Sequence, residues 1–155
     1  MRATYRCSRS GSAKHNDRNF DLAKASHIDK GKTPLNWNWH CFQKIMPEAS
    51  FAEVEKIFYE KRYSGSLNAI NNRYLAQYHP ERCKTITDLL EGSRTRPEEF
   101  ILQAGTKDEH PDSQILAQSM KELMDYMTLW NKSHGNHLHI LNFSIHVDES
   151  TPHVH

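Results

Sequence analysis

HLHILNFSIHVDESTPHVH, residues 137–155, decides how this chain is read. From His137 to Val147 apolar and polar residues alternate. Leu141, Phe143, Ile145 and Val147 fall on one side, and Asn142, Ser144 and His146 on the other. That period of two predicts a strand with one buried face. The following Asp148-Glu149-Ser150-Thr151-Pro152 is turn-like, so the last residues are expected to fold back beside His146. His153 and His155 then share a face. Three imidazoles on one sheet surface suit a divalent metal with open positions for water or substrate. Asp148 and Glu149 are candidates for a fourth ligand, or for acceptors that hold a histidine in its ligating tautomer. The competing reading is a set of polar strand-end histidines with no ligand. His137-Leu138-His139 has the same spelling, but its parity puts both rings with Leu141 and Phe143, where a core-edge or solvent role is expected.

Upstream, Leu116, Met120, Leu123, Met127 and Trp130 step by four, three, four and three, the stripe of an amphipathic helix whose apolar side is core. Glu99–Gly105 and Thr4–Ser10 read as strands, the latter followed by a loop at Gly11-Ser12. Ser50 and Glu53 form a capping box before Phe51, Val54, Ile57 and Phe58, which share a helical face. A second helix is expected over Leu67–Tyr78, ending at Pro80, and a third over Thr85–Glu91. The basic stretch Lys14–Asn38, broken by Gly31 and Pro34, reads as an exposed functional loop with a short helix. The order strand, helices, strand, helix, strand predicts an α+β fold, a sheet with helices covering one face.

The 155 residues fit one domain. No apolar run approaches the roughly 20 residues of a membrane span, so no membrane partner is expected. Aromatic content of 10% argues against a disordered chain. Cys7, Cys41 and Cys83 are odd in number and lack a C-x-x-C, which excludes a disulfide scaffold or zinc ribbon and suits a reducing, cytoplasmic setting. The Arg- and Ser-rich residues 1–14 share their composition with mitochondrial transit peptides. The formal charge of +1 hides a gradient: residues 1–44 carry nine Lys/Arg against three Asp/Glu, and residues 98–155 three against nine. A basic N-terminal segment favours a polyanionic partner, its plainer alternative being a solvated basic face. Six of the eleven histidines lie in the last 22 residues, which composition alone does not explain.

Three segments carry a family pattern. Lys14-His15-Asn16-Asp17-Arg18 resembles an H-x-x-R motif, Leu35-Asn36-Trp37-Asn38-Trp39 an N-Y-(E/D)-L-like segment, and His146–His155 the motif H-x-D-E-x-T-P-H-x-H. On these the chain resembles the N-terminal relaxase domain of the Mob/Pre (MobV) plasmid mobilisation and recombination family, a branch of the HUH endonucleases. The resemblance implies an antiparallel HUH-type sheet in a single relaxase domain over residues 1–155. That domain stops short at the C-terminus by family standards and carries a helical insertion over residues 45–97. It implies metal-dependent nicking and rejoining of one DNA strand at a plasmid origin of transfer, single-stranded or hairpin, through a covalent protein–DNA intermediate. His15 would be the nucleophile and Arg18 its partner, with Glu149 in the catalytic set. Mn2+ or Mg2+ would sit on His146, His153 and His155, and Lys14, Asn36, Trp37 and Trp39 would contact DNA.

The chemistry is plausible on its own terms. Residues three apart on a helix share a face, so Arg18 would favour a neutral His15 imidazole or grip a phosphate oxygen. A neutral ring nitrogen attacking phosphorus gives a phosphoramidate and frees a 3′-hydroxyl. Trp37 and Asn38 stand where the family often has a tyrosine and an acid. Trp37 and Trp39 are open to two readings, stacking on unpaired bases or packing at a helix start. Tyr59, Tyr63, Tyr74 and Tyr78 remain alternative nucleophiles. Two other functions stay open: DNA binding without cutting, and an iron site of the 2-His-1-carboxylate type begun by His146-x-Asp148.

Overall fold

Residues 3–8, 13–18, 22–104 and 112–155 are described by the computed structural model; Ser10, Gly11-Ser12 and Gly105, named above, lie outside them. The elements in chain order are β1 (Ala3–Ser8), α1 (Ala13–Asn16), β2 (Trp37–His40), α2 (Phe51–Ala76), α3 (Ile86–Glu91), β3 (Glu99–Ala104), α4 (Ser113–His134), β4 (Asn142–His146) and β5 (His153–Val154). The strands form one sheet in the order β1-β3-β5-β4-β2, with every neighbouring pair antiparallel. The two-residue β5 sits at its centre because the chain reverses after β4. Val154 lies between Leu102 and Ile145, and His153 between Gln103 and His146.

That register carries the alternation across the sheet. Phe143, Ile145 and Val154 face α4, where Leu116 and Met120 meet them to form the buried core; Trp39, Phe100 and Leu102 pack at its margin. Burying each such side chain contributes roughly 1.5–3 kcal/mol. The helix layer expected from the Leu116–Trp130 stripe is therefore α4. Beside the polar face lie α1 and the first turns of α2, where the Asp17 carboxylate accepts from Phe51 N at 2.8 Å and Ala52 N at 3.3 Å, and Asn142 Nδ2 donates to Glu55 Oε1 at 3.1 Å. An acid at those orphan N–H groups opposes the positive end of the helix dipole. The Ser50–Glu53 capping box is present with both of its bonds.

Two expectations are corrected. The separate helices starting at Ser50 and Leu67 are one 26-residue helix, α2. A lone Gly65 costs about 1 kcal/mol relative to alanine, too little to stop a helix that contains no proline. The helix runs on to Ala76, and two residues later Tyr78 enters the left-handed region at φ 60, ahead of Pro80. The second correction concerns the start of β4, at Asn142 rather than His137. Gly135, at φ 92, ends α4, and Asn131 then captures the next residues: its Oδ1 accepts from His137 N at 3.2 Å and Leu138 N at 3.0 Å, and its Nδ2 donates to Leu138 O at 2.7 Å. Local side-chain bonds satisfy the backbone that a ladder would otherwise have used. Among the described residues no helix is long and apolar enough to cross a membrane.

Candidate active site

The polar face of the sheet holds the histidines. His146 is fully buried and pairs with His153 across the β4–β5 ladder; Ser144 and His155 exchange both backbone bonds at 2.9 Å, which puts His155 on the same face. The ring centroids of His146, His153 and His155 lie 5.4, 6.0 and 6.1 Å apart. Helix α1 brings His15 to them from the other end of the chain, its ring 4.3 Å from that of His155 and 5.3 Å from that of His146. The other H-x-H, His137-Leu138-His139, stays away from this face: His139 packs on Phe58 at 5.2 Å and its Nε2 faces Asn136 O.

Arg18 is the hub. It follows α1 in the left-handed region, at φ 50, while its N–H donates to His15 O at 3.1 Å. Its Nη2 reaches Asp148 Oδ1 at 2.6 Å, His146 Nδ1 at 2.8 Å and Glu149 Oε1 at 3.0 Å, and its Nη1 lies 3.4 Å from His15 Nε2. A guanidinium only donates, so His146 Nδ1 accepts, with Asn36 Nδ2 as a second donor at 3.2 Å. The His146 proton is thereby assigned to Nε2, which donates to Asn16 Oδ1 at 3.2 Å. The same logic gives His15 Nε2 a lone pair.

The electrostatics agree. Burial, then the charges of His155 and Arg18, lower the His15 pKa to about 4, so its ring is neutral at physiological pH. Burial and Arg18 also hold His146 far below its ordinary value. Burial alone would raise the Asp148 carboxyl; hydrogen bonds from Arg18, Asn36 and Thr33 and the Arg18 charge outweigh it and keep that group ionised.

His153 and His155 fit a cation in donor type. The Nδ1 of His153 donates to Thr151 O at 2.9 Å, and His155 Nδ1 lies 2.9 Å from Glu99 Oε1, out of line for a hydrogen bond; both contacts leave Nε2 for a ligand. Glu149 stands 3.9 Å from His153 and 3.8 Å from His15. His146 differs, because both of its nitrogens are engaged. Among the described residues no three His, Cys, Asp or Glu side chains already have their donor atoms gathered as a ligand set. The expected trio is thus assembled as neighbours, with His146 still turned to Asn16 and Arg18.

The proposed DNA contacts divide. Lys14 lies in α1. Asn36 accepts from Val147 N at 2.9 Å through Oδ1 while its amide faces His146, so it braces the end of β4 from inside the site. Trp37 and Trp39 project from the opposite face of the sheet, against Phe143 at 5.7 and 5.3 Å, and line an open groove with Gln114, Lys121 and Met124. Period two dictates this, since Asn38 between them faces the site and accepts from Ser144 Oγ at 2.6 Å. Of the alternative nucleophiles, Tyr59 donates its hydroxyl to Thr95 O at 2.6 Å and has its pKa pushed up to about 12 by burial and by Tyr63. Sequence reasoning missed Asn16, Thr33 and Glu99, which no motif spacing marks; only their contacts reveal them.

No protein-family model and no curated protein matches the chain. Solved structures do. The MobM relaxase domain (MOBV; Mob_Pre), Mn-bound and in complex with 22 nucleotides of plasmid pMV158 oriT DNA at pH 5.5, superposes with a TM-score of 0.59 at 18% identity, covering 100% of this chain and 68% of that one. The same domain with a 3′-thiophosphate on its oriT DNA, at pH 6.8, gives a TM-score of 0.54 at 17% identity with the same coverage. Over its whole length, this chain has the fold of a MOBV (Mob_Pre) relaxase domain.

Proposed function

We propose that the chain is a DNA relaxase of the Mob/Pre kind, which nicks and rejoins one strand at an origin of transfer with His15 as nucleophile. The observation that carries this reading is the meeting of a neutral His15 ring from α1 with the His146, His153 and His155 cluster from the other end of the chain. The fold shared with an oriT-bound relaxase supports it.

His15 Nε2 offers its lone pair to the scissile phosphorus, an N–P bond forms, and the P–O3′ bond breaks. The 3′ oxygen leaves with its electron pair and takes up a proton as a hydroxyl, while the Nδ1 proton of the modified ring passes to solvent or Glu149. Rejoining is the reverse: a 3′-hydroxyl attacks the phosphoramidate and returns His15. Arg18 neutralises phosphate charge from beside the nucleophile. His153 and His155 would hold a divalent cation through their Nε2 atoms, with Glu149 beside them and His146 joining only on release from Asn16 and Arg18; bound there, the cation would supply electrophilic stabilisation of the scissile phosphate. Three imidazoles suit Mn2+ better than Mg2+, which prefers oxygen ligands, and the neighbour is Mn-bound.

The strand approaches over the basic N-terminal third, including Lys14 and the exposed Lys30 and Lys32, so binding weakens with salt. Residues 45–97 are read as a helical insertion in one relaxase domain working in the cytoplasm, and Asn36 as acting on DNA only through His146. The test is capture. The protein, Mn2+ and a randomised single-stranded DNA library are incubated, and strands held in SDS-stable adducts are sequenced. An adduct lost on chelation and in His15→Ala is expected; strand binding without any adduct contradicts the proposal.

A further inference from the structure

Asp148 has no part in the chemistry above, yet it is among the most enclosed polar groups of the protein, 1% exposed. Each of its oxygens has a donor: Oδ1 accepts from Arg18 Nη2 at 2.6 Å and Oδ2 from Thr33 Oγ1 at 2.9 Å. Its backbone carbonyl accepts from Asp29 N at 2.6 Å. A carboxylate sealed from water is unfavourable unless paired this fully. Its neighbour Glu149 is placed differently, with a partly exposed side chain spread between Arg18, His15 and His153 at 3.0, 3.8 and 3.9 Å. Two adjacent acids therefore stand in different conditions, one enclosed with a donor on each oxygen and one partly exposed among three basic side chains.

Arg18 has need of a fixed partner. Its backbone occupies the left-handed region at φ 50, which L residues seldom adopt, and its long side chain spans from His15 Nε2 to His146 Nδ1. We propose that Asp148 is a positioning residue for strand transfer: with Thr33 it clamps the Arg18 guanidinium across His15 and His146, leaving Glu149 as the partly exposed acid at the reacting groups. The clamp also ties the basic loop carrying Asp29 and Thr33 to the end of β4. The inference rests on the reading of His15 as nucleophile for its kinetic consequence, but not for the clamp itself.

Guanidinium 1H–15N NMR of the full chain tests the clamp without DNA. Resolved Arg18 Nη protons are expected in wild type, averaged ones in Asp148→Asn, and partial averaging in Thr33→Val, which keeps the fold if Asp148→Asn does not. With the strand selected from the random library, Asp148→Asn should slow single-turnover adduct formation about tenfold or more while strand affinity stays within about threefold. In an Arg18→Ala background Asp148→Asn should add nothing, because the two act as one unit. Arg18 protons that stay resolved in both variants, or rate losses that multiply, overturn the clamp. A wild type that forms no adduct sinks the nucleophile reading instead, and the NMR still decides the clamp.

Discussion

His153-Val154-His155 and His137-Leu138-His139 share a spelling and part company in their surroundings. The first lies in a ladder on both sides: Val154 is fully buried between Leu102 and Ile145, and both rings project toward His146 and His15. The second follows the Gly135 cap, is held by Asn131, and leaves Leu138 38% exposed. Alternation fixes where a side chain points only when neighbouring strands enforce the pleat. Of these two H-x-H segments, the one whose middle residue is core brings its rings to the histidine cluster, and the one whose middle residue is exposed does not.

The largest expected effect separates the proposed nucleophile from the second segment. His15→Ala should cut adduct formation by about a thousandfold or more, while His139→Ala should stay within about twofold in the same gel assay. Next, Mn2+ titration followed by electron paramagnetic resonance should find affinity lowered about a hundredfold in His153→Ala. The titration should be unchanged in His137→Ala; equal losses in both would erase the distinction drawn between the segments. Third, Val154→Ala should destabilise by about 2 kcal/mol through lost burial and a residual cavity, against less than about 0.5 kcal/mol for the exposed Leu138→Ala, both by urea unfolding. The smallest effect belongs to Asn131→Ala, expected to cost about 1 kcal/mol for its three backbone bonds, partly replaced by water, with no change in Mn2+ affinity.

Much of this was legible in the chain. The α4 stripe and the Ser50–Glu53 capping box are local rules with local causes, and each appears as read; the alternation read over His137–Val147 appears only from Asn142 on. The return of the last residues beside His146 was legible too, through the turn-like Asp148–Pro152; which residues they pair with was not. Less legible was anything set by partners distant in sequence. Trp37 and Trp39 read equally as base-stacking or packing residues, and only the Asn38–Ser144 contact shows that they lie on the face opposite the histidines. Asn36 reads as a polar loop residue until it is found bracing Val147 and His146. Asp148 offered itself as a cation ligand, and only the Arg18 and Thr33 contacts gave it a different employment. The orientation of His146 is of the same kind, since its tautomer follows from a guanidinium that sequence separation alone would not bring to it.

The most direct test is the chemistry of the DNA–protein link. Trypsin releases His15–Arg18 as a short peptide, and mass spectrometry of the captured adduct reads which residue carries the nucleotide remnant. The account predicts an acid-labile N–P bond at His15. An acid-stable remnant on Tyr59, Tyr63, Tyr74 or Tyr78 would contradict it.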